Sequence, residues 1–241
     1  MSRTELLLGN EAVERLGHSH VMVVGLGGVG GFTAELLARA GIGELTLVDA
    51  DSVHESNINR QVIALHSTLK ESKVELWRQR LLDISPEIKL HCYERFVTEE
   101  ECDQIPGLED VDYVVDAIDT LSPKAGLITM LSRRNIPFVS CMGAGSRLNP
   151  AAVRLGRLDK VTNCTLAKAL RKRLRKMKTP LNIRVVFSCE APREGTTLKL
   201  EGEQNKKSTS GTISFLPATF ACHLAGEVVR ELIQSKDEKA S

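Results

Sequence analysis

Four glycines fall within six residues, Gly25-Leu26-Gly27-Gly28-Val29-Gly30, directly after the apolar run His20–Val24. Glycines at such a junction make a tight turn and let backbone N–H groups approach a phosphate. They also leave that phosphate at the positive end of the next helix. Asp49 ends the next apolar run, about 20 residues on, where a carboxylate can accept hydrogen bonds from a ribose. This much predicts a bound nucleotide without choosing one. The choice comes from residues further along the chain: Asp51, Asn57, Arg60, Gln61, Lys73 and Asp119. Cations neutralise the phosphates as pyrophosphate leaves, and an aspartate carries a magnesium ion. A hydride-transferring dinucleotide enzyme, the commonest owner of such a turn, has no use for Arg60, Lys73 and Asp119. The set points to Mg-ATP.

These groups need a frame. Glu44–Asp49, Ile88–Tyr93, Val111–Ile118 and Ile136–Ser140 read as further strands. Between them, Gly30–Ala40, Glu71–Ile84 and Pro123–Asn135 carry helical spacing, with Gly41 and Ser85-Pro86 as stops. Alternation of this kind predicts an α/β, Rossmann-like, mostly parallel sheet with flanking helices and right-handed crossovers. The strand ends of such a sheet are where these charged and polar groups would gather. A smaller C-terminal strand and helix region extends it: strands at Ala152–Leu158 and Ile183–Phe187, a basic helix at Leu166–Lys178, and a polar, turn-rich loop at Arg193–Gly211. A last helix, Leu216–Ile233, precedes a tail expected to fray. The expectation is a single adenylation domain over 1–241, its nucleotide core near 20–145 and a substrate and dimer region near 146–235.

Composition limits the class. With 241 residues, 42% hydrophobic and 26% charged, the chain suits one folded globular unit. A net charge of +1 says nothing about partners in bulk. No leader-like or membrane-spanning stretch is visible, so a soluble, cytoplasmic protein without membrane insertion is expected. The six cysteines have no C-x-x-C pair and read as reduced thiols; Cys189, in Ser188-Cys189-Glu190, is the best nucleophile candidate among them.

At the nucleotide motif the sequence resembles the adenylating family of the ubiquitin-activating enzymes and their bacterial relatives MoeB and ThiF. The shared pattern is Gly25-x-Gly27-Gly28-x-Gly30, Asp49-x-Asp51, Asn57-x-x-Arg60-Gln61, Lys73 and Asp119. The resemblance implies that Asp49 holds the ribose, that Asn57, Arg60 and Lys73 contact the phosphates, and that Asp119 binds magnesium. Arg3 matches an arginine that reaches the phosphates of a neighbouring subunit, which implies a homodimer. Position 70, where relatives often have glycine, is Lys70 and competes with Lys73 as a phosphate ligand.

Over most of the chain the sequence resembles one branch in particular, the tRNA threonylcarbamoyladenosine dehydratases. Arg3–Gly9, Ala40–Gly43, Asn57–Gln61, Asp116–Asp119, Pro123–Ala125, Gly143–Gly145 and Val186–Glu190 carry that likeness. It implies ATP-dependent activation of the threonyl carboxylate in a modified tRNA, and then ring closure. Independently, Lys168, Arg171, Lys172 and Arg175 fall on one helical face of an acid-free basic segment, as a contact to tRNA phosphates would. A sulfur-carrier activator with the same ATP site is the alternative, although the zinc cysteines usual in MoeB and ThiF relatives are missing. A cysteine desulfurase or sulfur-acceptor system is carried as a further partner.

Overall fold

The computed structural model describes residues 3–199 and 208–234. Two short helices, α1 (Arg3–Leu8) and α2 (Asn10–Gly17), come first, where the sequence pattern predicts no element. The sheet is built from β1 (His20–Val24), β2 (Glu44–Asp49), β3 (Lys89–Glu94), β4 (Tyr113–Asp116), β5 (Phe138–Cys141), β6 (Val153–Arg157) and β7 (Arg184–Ser188). Their order is β3-β2-β1-β4-β5-β7-β6, parallel throughout except β6, which runs antiparallel to β7 on the edge. The mostly parallel Rossmann-like sheet is therefore as expected.

Every residue of β1 and β4 is buried, so both faces must be covered. On one face, α3 (Gly30–Ala40), α4 (Lys73–Ile84) and α7 (Phe215–Ile233) enclose Leu37, Trp77, Leu81, Phe220 and Leu224 with Val21, Val23 and Leu47. On the other, α5 (Leu121–Arg134) packs Leu127 and Leu131 on Met22, Val24 and Val114. There α6 (Thr165–Lys176) adds Ala167, Leu170 and Leu174 against Ile128 and Val185. The strand order reverses between β1 and β4, so the crevice beyond their carboxyl ends is the natural ligand position.

Element ends differ from the sequence pattern for local reasons. Helix α4 begins at Lys73 rather than 71 because Lys70 and Lys73 donate their backbone N–H groups to Val53 and Asp51, tying 70–73 to the segment after β2. Strand β4 stops at Asp116, whose carboxylate accepts the N–H of Ile118 and turns the chain. Helix α5 starts at Leu121, so Pro123 sits in its first turn, where its missing N–H costs nothing. The loop expected at 193–211 contains two strands, β8 (Thr197–Lys199) and β9 (Ser208–Ser210), paired antiparallel. The tail from 235 lies outside the described residues.

Candidate nucleotide site

The glycine turn sits between β1 and α3, and its positions are constrained unequally. A Cβ on Gly30 would fall 1.8 Å from the carbonyl oxygen of Gly25, so the protein's own backbone demands glycine. A Cβ on Gly28 would approach the Arg60 carbonyl oxygen to 3.0 Å. Gly25 adopts φ +90° against Ala117. Gly27 differs. A Cβ there would meet only Gln61 Nε2, at 3.9 Å. Nothing in the fold requires glycine at 27, which fits a position kept bare for close approach of a ligand.

Asp49 ends β2 beside this turn. Its carboxylate accepts the N–H of Leu26 at 2.5 Å and that of Asp51 at 2.8 Å, which aims it across the glycines. Burial raises its carboxyl above the ordinary carboxylate range, opposed by the charge of Lys73 and the two N–H donors. Lys73 is 4% exposed, and its ammonium lies 2.8 Å from Asp51 Oδ2. Lys70 is exposed and sits at φ +71°. Of the two lysines, Lys73 enters the Asp49–Asp51 group and Lys70 faces solvent. The left-handed backbone at 70 also explains why glycine suits that position.

The one-turn helix Glu55–Asn57 leads into the second group. Asn57 is buried; its Oδ1 accepts the N–H of His54, and its carbonyl accepts those of Arg60 and Gln61. Asn57 therefore builds the loop that holds Arg60. Arg60 donates to the Ser56 carbonyl at 2.7 Å and to Asn59 Oδ1 at 3.0 Å. Burial lowers its guanidinium pKa, an effect opposed by the negative charge of Asp119. Gln61 Oε1 is buried with no hydrogen-bond partner, beside the open Gly27. An orphaned acceptor next to a bare glycine suits the binding of a polar ligand there.

Beneath the Asp119 loop lies a network to which the sequence motifs assign no role. Asp116 and Lys124 are both fully buried and 2.8 Å apart. Ser140 donates to Asp116 at 2.7 Å, and Lys124 also donates to the Ile118 carbonyl at 2.9 Å. A lysine five residues past Asp119 on a helical apolar face is the one signal of it in the sequence. Asp119 itself is exposed, and the residue preceding α5 is Thr120, without a side-chain cap.

Past β5, Arg147 is buried and donates to the carbonyls of Gly143, Gly145, Asn163 and Glu190. Glu190 in turn accepts the N–H groups of Leu148 and Asn149. The hairpin closes over this loop: Ser146 N–H meets Gly211, and Asn59 Nδ2 donates to the Thr212 carbonyl at 3.0 Å. The polar, turn-rich segment therefore borders the nucleotide loop.

The remaining candidates lie elsewhere. Arg3 is exposed on α1, next to Leu6 and Leu7 at 71% and 80% exposure. On α6, Lys168, Lys172 and Arg175 are exposed, their side chains without hydrogen-bond or ion-pair partners among the described residues. Arg171 is only half-exposed, and its Nη1 donates to the carbonyls of Leu158 and Val161. Cys102, Cys141 and Cys164 are buried, and burial pushes the Cys102 and Cys141 thiols up to about 12. Cys189 and Cys222 are exposed.

Fold and site together define a Rossmann-like nucleotide-binding protein with a cationic and acidic cluster at the switch point. The chain belongs to the ThiF family, which it matches over residues 1–241. It is 37% identical to the tRNA threonylcarbamoyladenosine dehydratase of Bacillus subtilis, covering 99% of this chain and 96% of that protein. The dehydratase of the same name from Escherichia coli is 34% identical, over 95% and 92% of the two chains. The crystal structure of the Escherichia coli enzyme TcdA in complex with ATP superposes with a TM-score of 0.86 at 33% identity, over 95% and 92%.

Proposed function

We propose that this chain is an ATP-dependent tRNA threonylcarbamoyladenosine dehydratase. The carrying observation is the set of polar groups at the glycine turn: Asp49 on the Leu26 N–H, Asp51 paired with Lys73, Arg60 against Gly28, and the orphaned Gln61 Oε1 beside a Gly27 that no packing requires. Relatives of the same length with that activity support the choice of substrate. In the reaction, the threonyl carboxylate attacks the α-phosphorus of ATP and pyrophosphate leaves. The carbamoyl group, already tethered to the same nucleoside, then attacks the activated carbonyl, and AMP leaves as the ring closes. An intramolecular attack gains from orientation alone, which a rigid site can supply.

Each residue has a task. Asp49 accepts hydrogen bonds from the ribose. The N–H groups of the glycine turn, with Asn57, Arg60, Gln61 and Lys73, take the phosphates; Lys73 exchanges part of its contact with Asp51 for them. Magnesium suits the exposed, oxygen-only carboxylate of Asp119, where it would supply charge neutralisation on the departing phosphates. Asp119 is its main ligand. Lys168, Lys172 and Arg175, with Arg171 at their margin, receive the tRNA backbone. A second copy of the chain covers Leu6 and Leu7 and brings Arg3 to the partner's phosphates, since exposed leucines side by side on one short helix mark an interface. A tRNA-modifying ligase of this kind would work in the cytoplasm. No helix among the described residues is long and apolar enough to cross a membrane.

The test is mass analysis of nucleosides from threonylcarbamoyl-modified tRNA incubated with the protein, with and without Mg-ATP. Loss of one water from the modified adenosine, only with Mg-ATP, is expected. An unchanged nucleoside in a sample that binds ATP would reject the dehydratase and favour activation of a sulfur-carrier protein.

A further inference from the structure

At the opposite ends of the strands that carry the nucleotide site, three side chains converge with no task in the chemistry above. His20 opens β1, Glu44 opens β2 and His91 lies in β3, on adjacent parallel strands. His20 pairs with Glu44, and Thr46 pairs with His91, so all four project from one face of the sheet. His91 Nε2 is 2.8 Å from Glu44 Oε1, and His20 Nδ1 is 3.6 Å from the same oxygen. One ligand atom from each of the three lies within 4.8 Å of the others.

We propose that His20, Glu44 and His91 form a binding site for a divalent transition metal, of which zinc is the best match, remote from the nucleotide. Two neutral imidazoles and a carboxylate are a borderline-soft set with one position left for water, as zinc accepts and magnesium does not. A tetrahedral ion with bonds of about 2.0–2.1 Å separates its ligand atoms by roughly 3.4 Å, so the group needs only small rotamer shifts to close. A partner outside the ligand set orients His20: its Nε2 lies 2.8 Å from Thr46 Oγ1. A hydroxyl can accept as well as donate, so Nε2–H can donate to Thr46 and leave the Nδ1 lone pair for the metal. That tautomer gives up the 3.2 Å contact from Nδ1 to the Asp110 carbonyl. The ligands also stand on sheet strands, whose backbone spacing is fixed, and His20 is buried.

Two groups compete with the metal. Lys89 Nζ lies 3.8 Å from Glu44 Oε2, which leaves Oε1 for coordination. Protons compete for the imidazoles, so affinity should fall as the histidines protonate.

The full chain, stripped with chelator and dialysed, is titrated with zinc by calorimetry and with cobalt by visible absorption. One ion per chain is expected, with a cobalt spectrum of nitrogen and oxygen ligands that lacks thiolate charge transfer. His91→Ala and His91→Gln, at an exposed position where packing loses little, should each weaken binding at least tenfold. Cys189→Ser with Cys222→Ser should leave binding intact. Zinc should also raise the Tm of the parent chain and not that of the His91 variants. Absence of stoichiometric binding overturns the proposal. So does binding that survives both His91 changes, or that vanishes with the two exposed thiols.

Discussion

The glycine turn and helix α6 are both places to receive phosphate, and they are built on opposite principles. At the turn, specificity of residue type comes from the protein's own packing: Gly30 lies against Gly25, and the buried Asp116–Lys124 pair props the segment carrying Asp119. On α6, Lys168, Lys172 and Arg175 project into solvent, while Ala167, Leu170 and Leu174 pack inward and Arg171 is tied to Leu158 and Val161. A site for ATP must hold donors within tenths of an ångström of developing charge. A surface for a polyanion needs charge density, and its side chains can move. So changes at the turn should damage fold or chemistry, whereas changes on α6 should alter affinity and salt dependence alone.

The largest effect should come from Gly30→Ala. Its Cβ would sit 1.8 Å from a backbone oxygen that has no room to withdraw, and denaturant unfolding should show a loss of more than about 3 kcal/mol or no folded protein. Gly27→Ala separates structure from function at a neighbouring position. It should keep the parental unfolding midpoint and bind ATP at least tenfold more weakly by calorimetry; a destabilised but fully binding variant would reverse the assignment. Lys124→Met leaves Asp116 buried without its cation, a change worth about 3–5 kcal/mol in denaturant. If that variant unfolds like the parent, the network does not prop the Asp119 segment. Asp119→Ala removes an exposed group, so stability should hold within about 0.5 kcal/mol. Turnover should fall on the order of a hundredfold or more, as expected when a metal and its charge neutralisation are lost.

The contrast also decides what could be read from sequence. The parallel strands and the glycine turn arise from local patterns: the four-residue apolar run Val21–Val24 into glycines leaves few alternatives. The order Asp49, Arg60, Lys73, Asp119 is legible because charged residues recur just past the apolar runs that follow one glycine turn. What stays hidden depends on contacts across many residues. The Asp116–Lys124–Ser140 network joins three elements, and Arg147 finds its four carbonyls on three separate segments. Helix α1 escapes the pattern because it has no buried residues and so no apolar face turned to a core. The β8–β9 hairpin escapes it because its three-residue strands carry few β-forming residues, and the bonds next to it, from Ser146 to Gly211 and from Asn59 to Thr212, come from distant segments.

The smallest effect in the free protein, and the sharpest test of the contrast between turn and helix, is on α6. Arg171 is excluded from it because its bonds to Leu158 and Val161 anchor the helix, so reversing it would confuse folding with binding. Lys168, Lys172 and Arg175 have no such anchoring among the described residues. Reversing these three to glutamate should leave the unfolding midpoint within about 0.5 kcal/mol. The slope of log affinity for tRNA against log salt should shrink by about 2, since each phosphate contact contributes roughly 0.7–0.9. ATP affinity should not change, because the helix packs on the α5 face of the sheet and takes no part in the glycine turn. A variant with unaltered salt slope would move the tRNA surface away from α6. A variant with weakened ATP binding would show that the two regions are one coupled site after all.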